Sequence, residues 1–194
     1  MLLAAPRLCR LDNPPPSWHR CAMKNNMQHF KLGADADDHL RRAFGRFGTG
    51  VTLITVQTAN GPLGMTANSF SSVSLDPALV LWSAGKKSKR HDAFATATHF
   101  AIHVLGADQQ DVADSFAADG FAFGAFDWAA GPNGAPTLAG CLATFHCDTY
   151  DVHAAGDHSI IVGRVTDAAF HPDADAPALM FEQSRYGSFI AAKD

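Results

Sequence analysis

Residues 64–77 decide the fold, and they read Gly64-Met65-Thr66-Ala67-Asn68-Ser69-Phe70-Ser71-Ser72-Val73-Ser74-Leu75-Asp76-Pro77. Small and hydroxylated residues interrupt what would otherwise be an ordinary strand, and the proline closes the stretch in a turn. A flat ligand with a polar edge can lie close to such a backbone and be bound by main-chain and short side-chain groups. The alternative interpretation is a serine-rich edge strand leading into a turn, and local chemistry alone leaves both open.

The composition is that of one globular domain with a full hydrophobic core. The chain has 194 residues, of which 47% are hydrophobic and 18% are charged. Its net charge of −4 is unevenly spread, because residues 1–26 carry four basic residues and one aspartate (+3), which leaves −7 for the rest. An acidic body argues against nucleic-acid binding, which depends on neutralising phosphates.

Metal and redox sites find little support in the sequence. The chain contains a single glutamate, Glu182, and eighteen aspartates, and its four cysteines form no C-x-x-C pair. We therefore expect no metal site, and we interpret Cys141 and Cys147 as small core residues in a reducing, cytoplasmic compartment. No apolar run approaches the roughly 20 residues of a membrane span, and the apolar start is too short for a secretory signal.

Patterning divides the chain into a tail and one domain. Residues 1–26 contain three consecutive prolines and no periodic apolar pattern, so we interpret them as a disordered tail or an extension. Residues 27–194 are expected to form the domain. Apolar residues at helical spacing predict helices over residues 35–47, 90–96 and 108–116.

Strands are expected to dominate the domain. Apolar and β-branched runs predict strands over residues 51–56, 63–73, 78–82, 100–105, 141–152, 159–165 and 178–181. Asn60-Gly61 predicts a hairpin between the first two strands. Residues 117–136, rich in glycine and aromatic side chains, are predicted to be a loop with its own small core, serving as a lid or interface. The fold class is therefore β-dominated: an antiparallel β-barrel with appended helices, rather than a βαβ fold.

Two features suggest ligand contacts. Lys86-Lys87-Ser88-Lys89-Arg90 places four of the fifteen basic residues in one run after a predicted buried strand. This run is either a solvated charged turn or a phosphate site formed by lysine charges and a serine hydroxyl at a helix start. His158 stands at a turn-to-strand junction beside Asp157, where it either faces a ligand or is an ordinary surface histidine.

Several short motifs, taken in order, resemble one known family. The motifs are Phe47-Gly48-Thr49-Gly50-Val51-Thr52, Met65 to Pro77, Ser88, Phe100 to Leu105 with Gln109, Phe126-Asp127-Trp128, Gly156-Asp157-His158 and Arg185-Tyr186-Gly187. From about Leu40 to Phe189 the chain resembles the flavin reductase family with the FMN-binding split barrel fold. Its members are small NAD(P)H:flavin reductases that serve two-component monooxygenases.

The resemblance implies a role for each matching position. The flavin ring and ribityl chain would be lined by Thr66, Ala67, Asn68 and Ser69, and the flavin phosphate would be held by Lys87, Ser88 and Lys89. Phe116 and Ala117 would border the flavin. His158 would be the catalytic residue near the nicotinamide, and Arg185 and Tyr186 would surround the nicotinamide nucleotide. The sequence departs from the family pattern where Ala78, rather than a second proline, follows Pro77, and where His103 replaces a common asparagine.

The implied activity is transfer of a hydride from NADH or NADPH to FMN or FAD, with the reduced flavin supplied to a partner monooxygenase. The resemblance also implies a homodimer, for which the segment Phe121–Trp128 is a sensible contact. Such chemistry requires orientation and electrostatics from the protein rather than a nucleophile. Two alternatives stay open: a flavoprotein that keeps FMN bound and reduces a ferric chelate or a corrinoid, and a non-catalytic flavin-binding module.

Overall fold

The computed structural model describes residues 26–33, 36–173 and 175–190. The chain divides into two units, residues 1–37 and 38–194. The described part of the first unit contains no strand and contributes only the first residue of helix α1 (Asp37–Phe44). All but the last residue of the predicted tail over 1–26 lies outside the described residues, so the tail stays a prediction.

Antiparallel strands make up most of the second unit. The strands are β1 (Thr49–Gly50), β2 (Thr52–Thr58), β3 (Gly61–Ala67), β4 (Ser71–Leu75), β5 (Ala78–Gly85), β6 (His99–Val104), β7 (Trp128–Ala130), β8 (Pro136–Leu138), β9 (Ala143–Ala155), β10 (His158–Phe170), β11 (Leu179–Glu182) and β12 (Arg185–Ser188). Two further helices are α2 (His91–Ala95) and α3 (Gln110–Ala118), and a 3-10 helix spans Ala122–Ala125. The predicted β-dominated class is confirmed.

Seven strands form one antiparallel sheet in the order β3-β2-β6-β9-β10-β5-β4. β3 and β4 stand at its two edges, although they are consecutive in the chain. The chain between Ala67 and Ser71 can span at most about 14 Å, so the two edges must lie close together and the sheet curls into a barrel. The prediction of one continuous strand over 63–73 is therefore wrong, because residues 68–70 leave β2 and cross to β5.

The strand β2 is buried on both faces. Ile54 and Val56 belong to the hydrophobic cluster inside the barrel, together with Trp82. Leu53, on the opposite face, belongs to a second cluster that includes Phe116 of α3. Since successive side chains of a strand point to opposite faces, this double burial accounts for the run of apolar and β-branched residues over 51–56, which has no charged or strongly polar side chain.

The hairpin prediction is confirmed, and two predicted boundaries need correction. Thr58 pairs with Gly61 across the β2–β3 turn, and Gly61 has φ of +107°, a conformation that favours glycine. Helix α1 ends at Phe44 rather than 47, and the Phe44 side chain is 68% exposed, so the spacing that predicted the helix does not mark a buried face. A further strand, β12, follows the one predicted to be last, and it completes a three-stranded sheet in the order β1-β11-β12.

The segment 117–136, predicted to be a loop with its own small core, contains regular structure. It contains the 3-10 helix and β7, and Phe123 is 3% exposed. The Phe123 ring packs edge-on against Phe116, with centroids 4.8 Å apart. Phe123 also packs edge-on against Trp128 within the segment, with centroids 5.3 Å apart. The small core of the segment is therefore continuous with the cluster around α3. None of the helices in the described part of the chain has the length and apolar character of a membrane span.

Candidate functional site

The crossing between β3 and β4 is fixed by side-chain hydrogen bonds. The Ser69 hydroxyl accepts a hydrogen bond from the Ser83 N–H (2.9 Å) and donates to the Ser83 carbonyl (3.2 Å). The Ser69 hydroxyl thus satisfies the backbone N–H and carbonyl of Ser83 on β5, where no strand among the described residues pairs with them on that side. On β3, the Thr66 hydroxyl donates to the Ala113 carbonyl at 2.7 Å and ties the strand to α3. The crossing thus has a defined backbone path with Asn68 exposed at its start.

The basic run lies between β5 and α2. The Ser88 N–H donates to the Gly85 carbonyl (3.0 Å), and the Ser88 hydroxyl accepts from the Arg90 N–H (3.2 Å). Lys86 donates from Nζ to the Gly156 carbonyl at 2.7 Å. Lys87 and Lys89 are exposed, and among the described residues neither ammonium group makes a hydrogen bond or an ion pair. Two lysine charges of this loop are therefore available to an anion.

Arg90 joins the basic run to β3 and to the end of α3. Its Nη1 donates to the carbonyls of Gly64 (3.0 Å) and Phe116 (2.6 Å), and its Nη2 donates to the Ala117 carbonyl (2.9 Å). The guanidinium also places a positive charge at the carbonyl end of α3, where the helix dipole favours one. Arg90 thus holds the basic run against Gly64, at the start of the stretch 64–77.

The junction around Arg90 leaves no room for larger residues. A Cβ atom on Gly64 would lie 2.5 Å from Cδ1 of Phe116. A Cβ on Gly120 would lie 2.7 Å from Cδ of Arg90. Both glycines let the backbones approach closely, and the Gly64 N–H donates to the Gly120 carbonyl at 2.8 Å.

A hollow beside the crossing brings distant parts of the chain together. It has a volume of about 140 Å³ and is lined by Val51, Thr66, Ala67, Asn68, Phe181 and Tyr186. We call it the ring hollow. The Phe181 ring on β11 and the Tyr186 ring on β12 pack against each other in a tilted arrangement, with centroids 5.3 Å apart. Burial, and then the nearby Asp114 carboxylate, raise the pKa of the Tyr186 hydroxyl. The predicted residues Thr66, Ala67, Asn68 and Tyr186 therefore share one surface.

Phe116 and Ala117 present different groups to this region. The Phe116 side chain is fully buried, so its backbone carbonyl, bound to Arg90, is the part that reaches the junction. Ala117 is exposed at the end of α3. Only the second of these two predicted flavin neighbours offers its side chain to a ligand.

His158 lies on the side of the basic run. It opens β10 and pairs with Gly85, and a Cβ on Gly85 would lie 3.4 Å from the Nε2 atom of His158. The Nδ1 atom of His158 is 2.8 Å from the Asp157 carboxylate, which lowers the pKa of Asp157. The imidazole is half-exposed. The residues predicted to surround the nicotinamide therefore lie in two different places. His158 lies beside the basic run, whereas Tyr186 lines the ring hollow and Arg185 precedes it on β12.

Sequence reasoning missed two structural supports of the site. Arg90 belongs by position to the basic run, and no pattern in the sequence indicates that it binds carbonyls of β3 and α3. His91 makes a similar tie, because its Nε2 lies 3.0 Å from the Ser159 hydroxyl and its Nδ1 lies 2.8 Å from the Asp92 carboxylate. This row of hydrogen bonds anchors α2 to β10.

Of the two cysteines predicted to be core residues, Cys147 is buried and Cys141 is partly buried against the cluster around α3. Cys141 and Cys147 are free thiols. Burial raises the pKa of Cys141 to about 11 and that of Cys147 to about 12. Neither side chain is a thiolate at neutral pH, so neither is an activated nucleophile.

Comparison with known proteins assigns this chain to a family. The family model described as "Flavin reductase like domain" matches residues 44–189. The chain belongs to this flavin reductase family, as the motifs predicted.

Individual relatives agree with the assignment. FMN reductase (NADH) SmoA of Agrobacterium fabrum is 50% identical over 169 residues, which cover 87% of this chain and 95% of the relative. The structure of NADH:FAD oxidoreductase SgcE6 of Streptomyces globisporus, in complex with NAD and FAD fragments, superposes with a TM-score of 0.76 and 39% identity, covering 85% of this chain and 100% of that one. BorF, the flavin reductase component of a bacterial two-component tryptophan halogenase, superposes with a TM-score of 0.72 and 38% identity, covering 80% and 99%.

Some relatives are longer proteins. The chain spans 44% of the reductase component of a trigonelline monooxygenase of Acinetobacter baylyi and 56% of stachydrine N-demethylase reductase subunit Stc3 of Rhizobium meliloti. The enzyme class expected from the sequence, a flavin oxidoreductase, and the split-barrel type are confirmed by these findings together.

Proposed function

We propose that the protein is an NADH-dependent flavin reductase that transfers a hydride to FMN or FAD and supplies the reduced flavin to a separate monooxygenase. The names of the relatives support NADH as the donor, FMN or FAD as the acceptor, and delivery to an oxygenase component. The observation that carries the proposal is the junction in which Arg90 joins β3, the strand that leads into the crossing, to the basic run. A flavin has a flat ring and a phosphate, and this junction offers one surface for each.

The residues present fit a flavin. The ring hollow is lined by short residues of β3 and by the Phe181 and Tyr186 rings. Lys87 and Lys89 are exposed, and their ammonium groups make no hydrogen bond or ion pair among the described residues, although the charge of Lys87 acts on the Asp157 carboxylate. When bound, the flavin accepts a hydride from the nicotinamide, so the chemistry belongs to the two nucleotides. The protein's own part is to hold the two rings at about 3–3.5 Å.

Each predicted site residue then has a proposed task. Thr66, Ala67, Asn68 and Ser69 line the flavin ring and ribityl chain, and Lys87, Ser88 and Lys89 hold its phosphate. The backbone N–H groups of Asn68 and Ser69, which lie outside β3 and β4, stabilise negative charge on the reduced ring. His158 positions the nicotinamide carboxamide or delivers a proton, with Asp157 orienting its imidazole. Arg185 and Tyr186 contact the nicotinamide nucleotide.

A homodimer is part of the proposal. The ring hollow of about 140 Å³ is smaller than the roughly 300–1,000 Å³ of complete ligand pockets, so a second surface is needed to enclose a flavin. Large apolar side chains remain exposed, including Phe121 at 53% and Trp128 at 41%. A second copy that covers the segment Phe121–Trp128 would bury them. Light scattering is expected to give the mass of a dimer, and a monomer's mass would refute this part. The cytoplasm is the proposed compartment.

Steady-state kinetics test the function. The rate of NADH oxidation is expected to rise with added FMN or FAD and to saturate, with equimolar reduced flavin formed when oxygen is excluded. Comparing NADH with NADPH and FMN with FAD identifies the preferred pair. A rate of NADH oxidation that does not respond to either flavin would contradict the proposal.

A further inference from the structure

Positive charge is concentrated in two places on this acidic chain. Among the ten lysines and arginines of the described residues, four lie in the basic run 86–90. Four others, Arg41, Arg42, Arg46 and Arg185, lie around the turn between β11 and β12. The first group has a proposed task, the flavin phosphate. In the second group only Arg185 has a proposed task, contact with the nicotinamide nucleotide, whereas Arg41, Arg42 and Arg46 have none so far.

The second group encloses a hollow. Its walls are Arg41, Arg42, Gly45 and Arg46 from α1 and its end, and Gln183 and Ser184 from the β11–β12 turn, around a volume of about 310 Å³. We call it the arginine pocket. The Gln183 N–H donates to the Gly45 carbonyl at 2.9 Å, and the Gly45 N–H donates to the Arg41 carbonyl at 2.8 Å. The helix end and the hairpin turn are therefore tied together, and the arginines stand on a defined wall.

Helix stabilisation does not account for all of these charges. Arg41 and Arg42 lie in the last turn of α1, where each cation gains roughly 0.3–1 kcal/mol from the helix dipole. Arg46 lies beyond the helix end and gains nothing from that turn. Among the ion pairs of residues 26–33, 36–173 and 175–190, none involves Arg41, Arg42 or Arg46. Three guanidinium groups around one hollow repel one another unless an anion lies between them, and phosphate suits their planar donors.

The arginine pocket continues into the ring hollow. A hollow of about 370 Å³ on the β11–β12 hairpin shares Gln183 with the arginine pocket and Tyr186 with the ring hollow. Ser184 lies in the turn and Tyr186 in β12, and two residues of chain span at most about 7 Å. The place proposed for stacked rings and the place suited to phosphate are therefore neighbours along the β11–β12 hairpin, with Glu182 and Arg185 lining the hollow between them.

We propose that the arginine pocket binds the adenosine diphosphate moiety of a dinucleotide whose reactive ring lies at the ring hollow. This inference rests on the proposed function, because that function supplies the dinucleotide. Two molecules carry the moiety, NADH and FAD, and the experiment separates them. FMN and reduced nicotinamide mononucleotide lack it and do not reach the pocket.

The test combines Arg42→Gln and Arg46→Gln in one variant, with Arg164→Gln as the matched control. Arg164 is a surface arginine paired with Asp148 at 3.2 Å, away from the pocket. With FMN as acceptor, the double variant is expected to raise the KM for NADH about tenfold while the KM for reduced nicotinamide mononucleotide stays unchanged. If FAD is the molecule bound, the KM for FAD rises instead, measured with the mononucleotide as donor, and the KM for FMN does not. The Arg164→Gln control is expected to match the native protein throughout.

Binding of ADP, measured by calorimetry on the full chain, gives a readout independent of turnover. The native protein is expected to bind ADP in competition with NADH or FAD, and the double variant to lose about tenfold in affinity. A variant carrying lysine at both positions keeps the charge and is expected to retain part of the affinity, with thermal melting of each variant as the check on folding.

Two outcomes separate this inference from the proposed function. Equal ADP affinity and equal KM values in native and variant proteins would overturn the inference, although flavin reduction by NADH would still support the proposed function. ADP binding that depends on the arginines, without any NADH oxidation, would support the arginine pocket as a nucleotide site and contradict the proposed function.

Discussion

Replacing Arg90 with methionine removes the connection between the two halves of the candidate flavin site. Methionine has similar length and apolar bulk but cannot donate to the carbonyls of Gly64, Phe116 and Ala117. A hydrogen bond from a charged group contributes about 1.5–3 kcal/mol, and Arg90 is only partly buried, so we expect a loss of about 2–4 kcal/mol in the free energy of unfolding. For a domain of this size that corresponds to a fall in Tm of roughly 5–15 °C.

The functional effect is separate from the effect on stability. Without Arg90 the basic run is no longer held against β3, so the phosphate and ring surfaces lose their fixed spacing. We expect the KM for FMN to rise about tenfold at temperatures where the variant is folded. Arg90→Lys keeps the charge but not the forked geometry, and it is expected to fall between the native protein and Arg90→Met.

Calorimetric melting and flavin-dependent NADH oxidation provide the two measurements. Arg164→Met serves as the control, since Arg164 forms an exposed ion pair worth less than about 1 kcal/mol. The reasoning is refuted if Arg90→Met melts within about 2 °C of the native protein and keeps the native KM for FMN.

Three further predictions concern single positions. Burial lowers the pKa of His103 to about 4, whereas a histidine in the unfolded chain has a pKa of about 6.5. As the pH falls below about 6.5 the unfolded chain therefore takes up a proton before the folded protein does. We expect the free energy of unfolding to be unaffected by this group above about pH 6.5 and to decrease by about 3 kcal/mol as the pH falls to 4. Urea unfolding should show a smaller loss between pH 7 and pH 4 for His103→Asn, and an equal loss would contradict the assignment. Gly64→Ala places a Cβ against the Phe116 ring and is expected to cost about 1–3 kcal/mol by denaturant unfolding, whereas Gly61→Ala, with no atom within 4 Å, is limited to the strain of its φ; equal costs would count against the close packing. His158→Ala is expected to lower kcat for NADH oxidation about tenfold or more with little change in Tm, and unchanged turnover would mean that His158 has no role at the nicotinamide.

The sequence predicts the parts of the fold that depend on local patterns. β2 and β5 are predictable because each is a run of apolar and β-branched residues. α3 is predictable because its apolar residues repeat at helical spacing. The β2–β3 hairpin follows from Asn60-Gly61. Each of these elements needs only neighbouring residues to specify it.

The sequence does not predict features that depend on distant partners. At the break between β3 and β4, Ser69 bonds to Ser83 of β5, the strand beside β4, and nothing near Ser69 in the sequence indicates that contact. Arg90 resembles its lysine neighbours in sequence, yet its partners lie on β3 and at the end of α3. The arginine pocket likewise joins residues more than a hundred positions apart, so no short motif contains it. Family resemblance supplies the roles of single residues, and those roles stay predictions.

The central claim is that residues 64–69 and the basic run 86–90 hold one flavin between them. A crystal structure of the protein saturated with FMN tests it most directly. We expect the phosphate within hydrogen-bonding distance of Ser88 and the two exposed lysines, Lys87 and Lys89, with the ring edge against Thr66 to Ser69. An FMN bound elsewhere, or a ring that lies away from the crossing while the phosphate avoids the basic run, would contradict it.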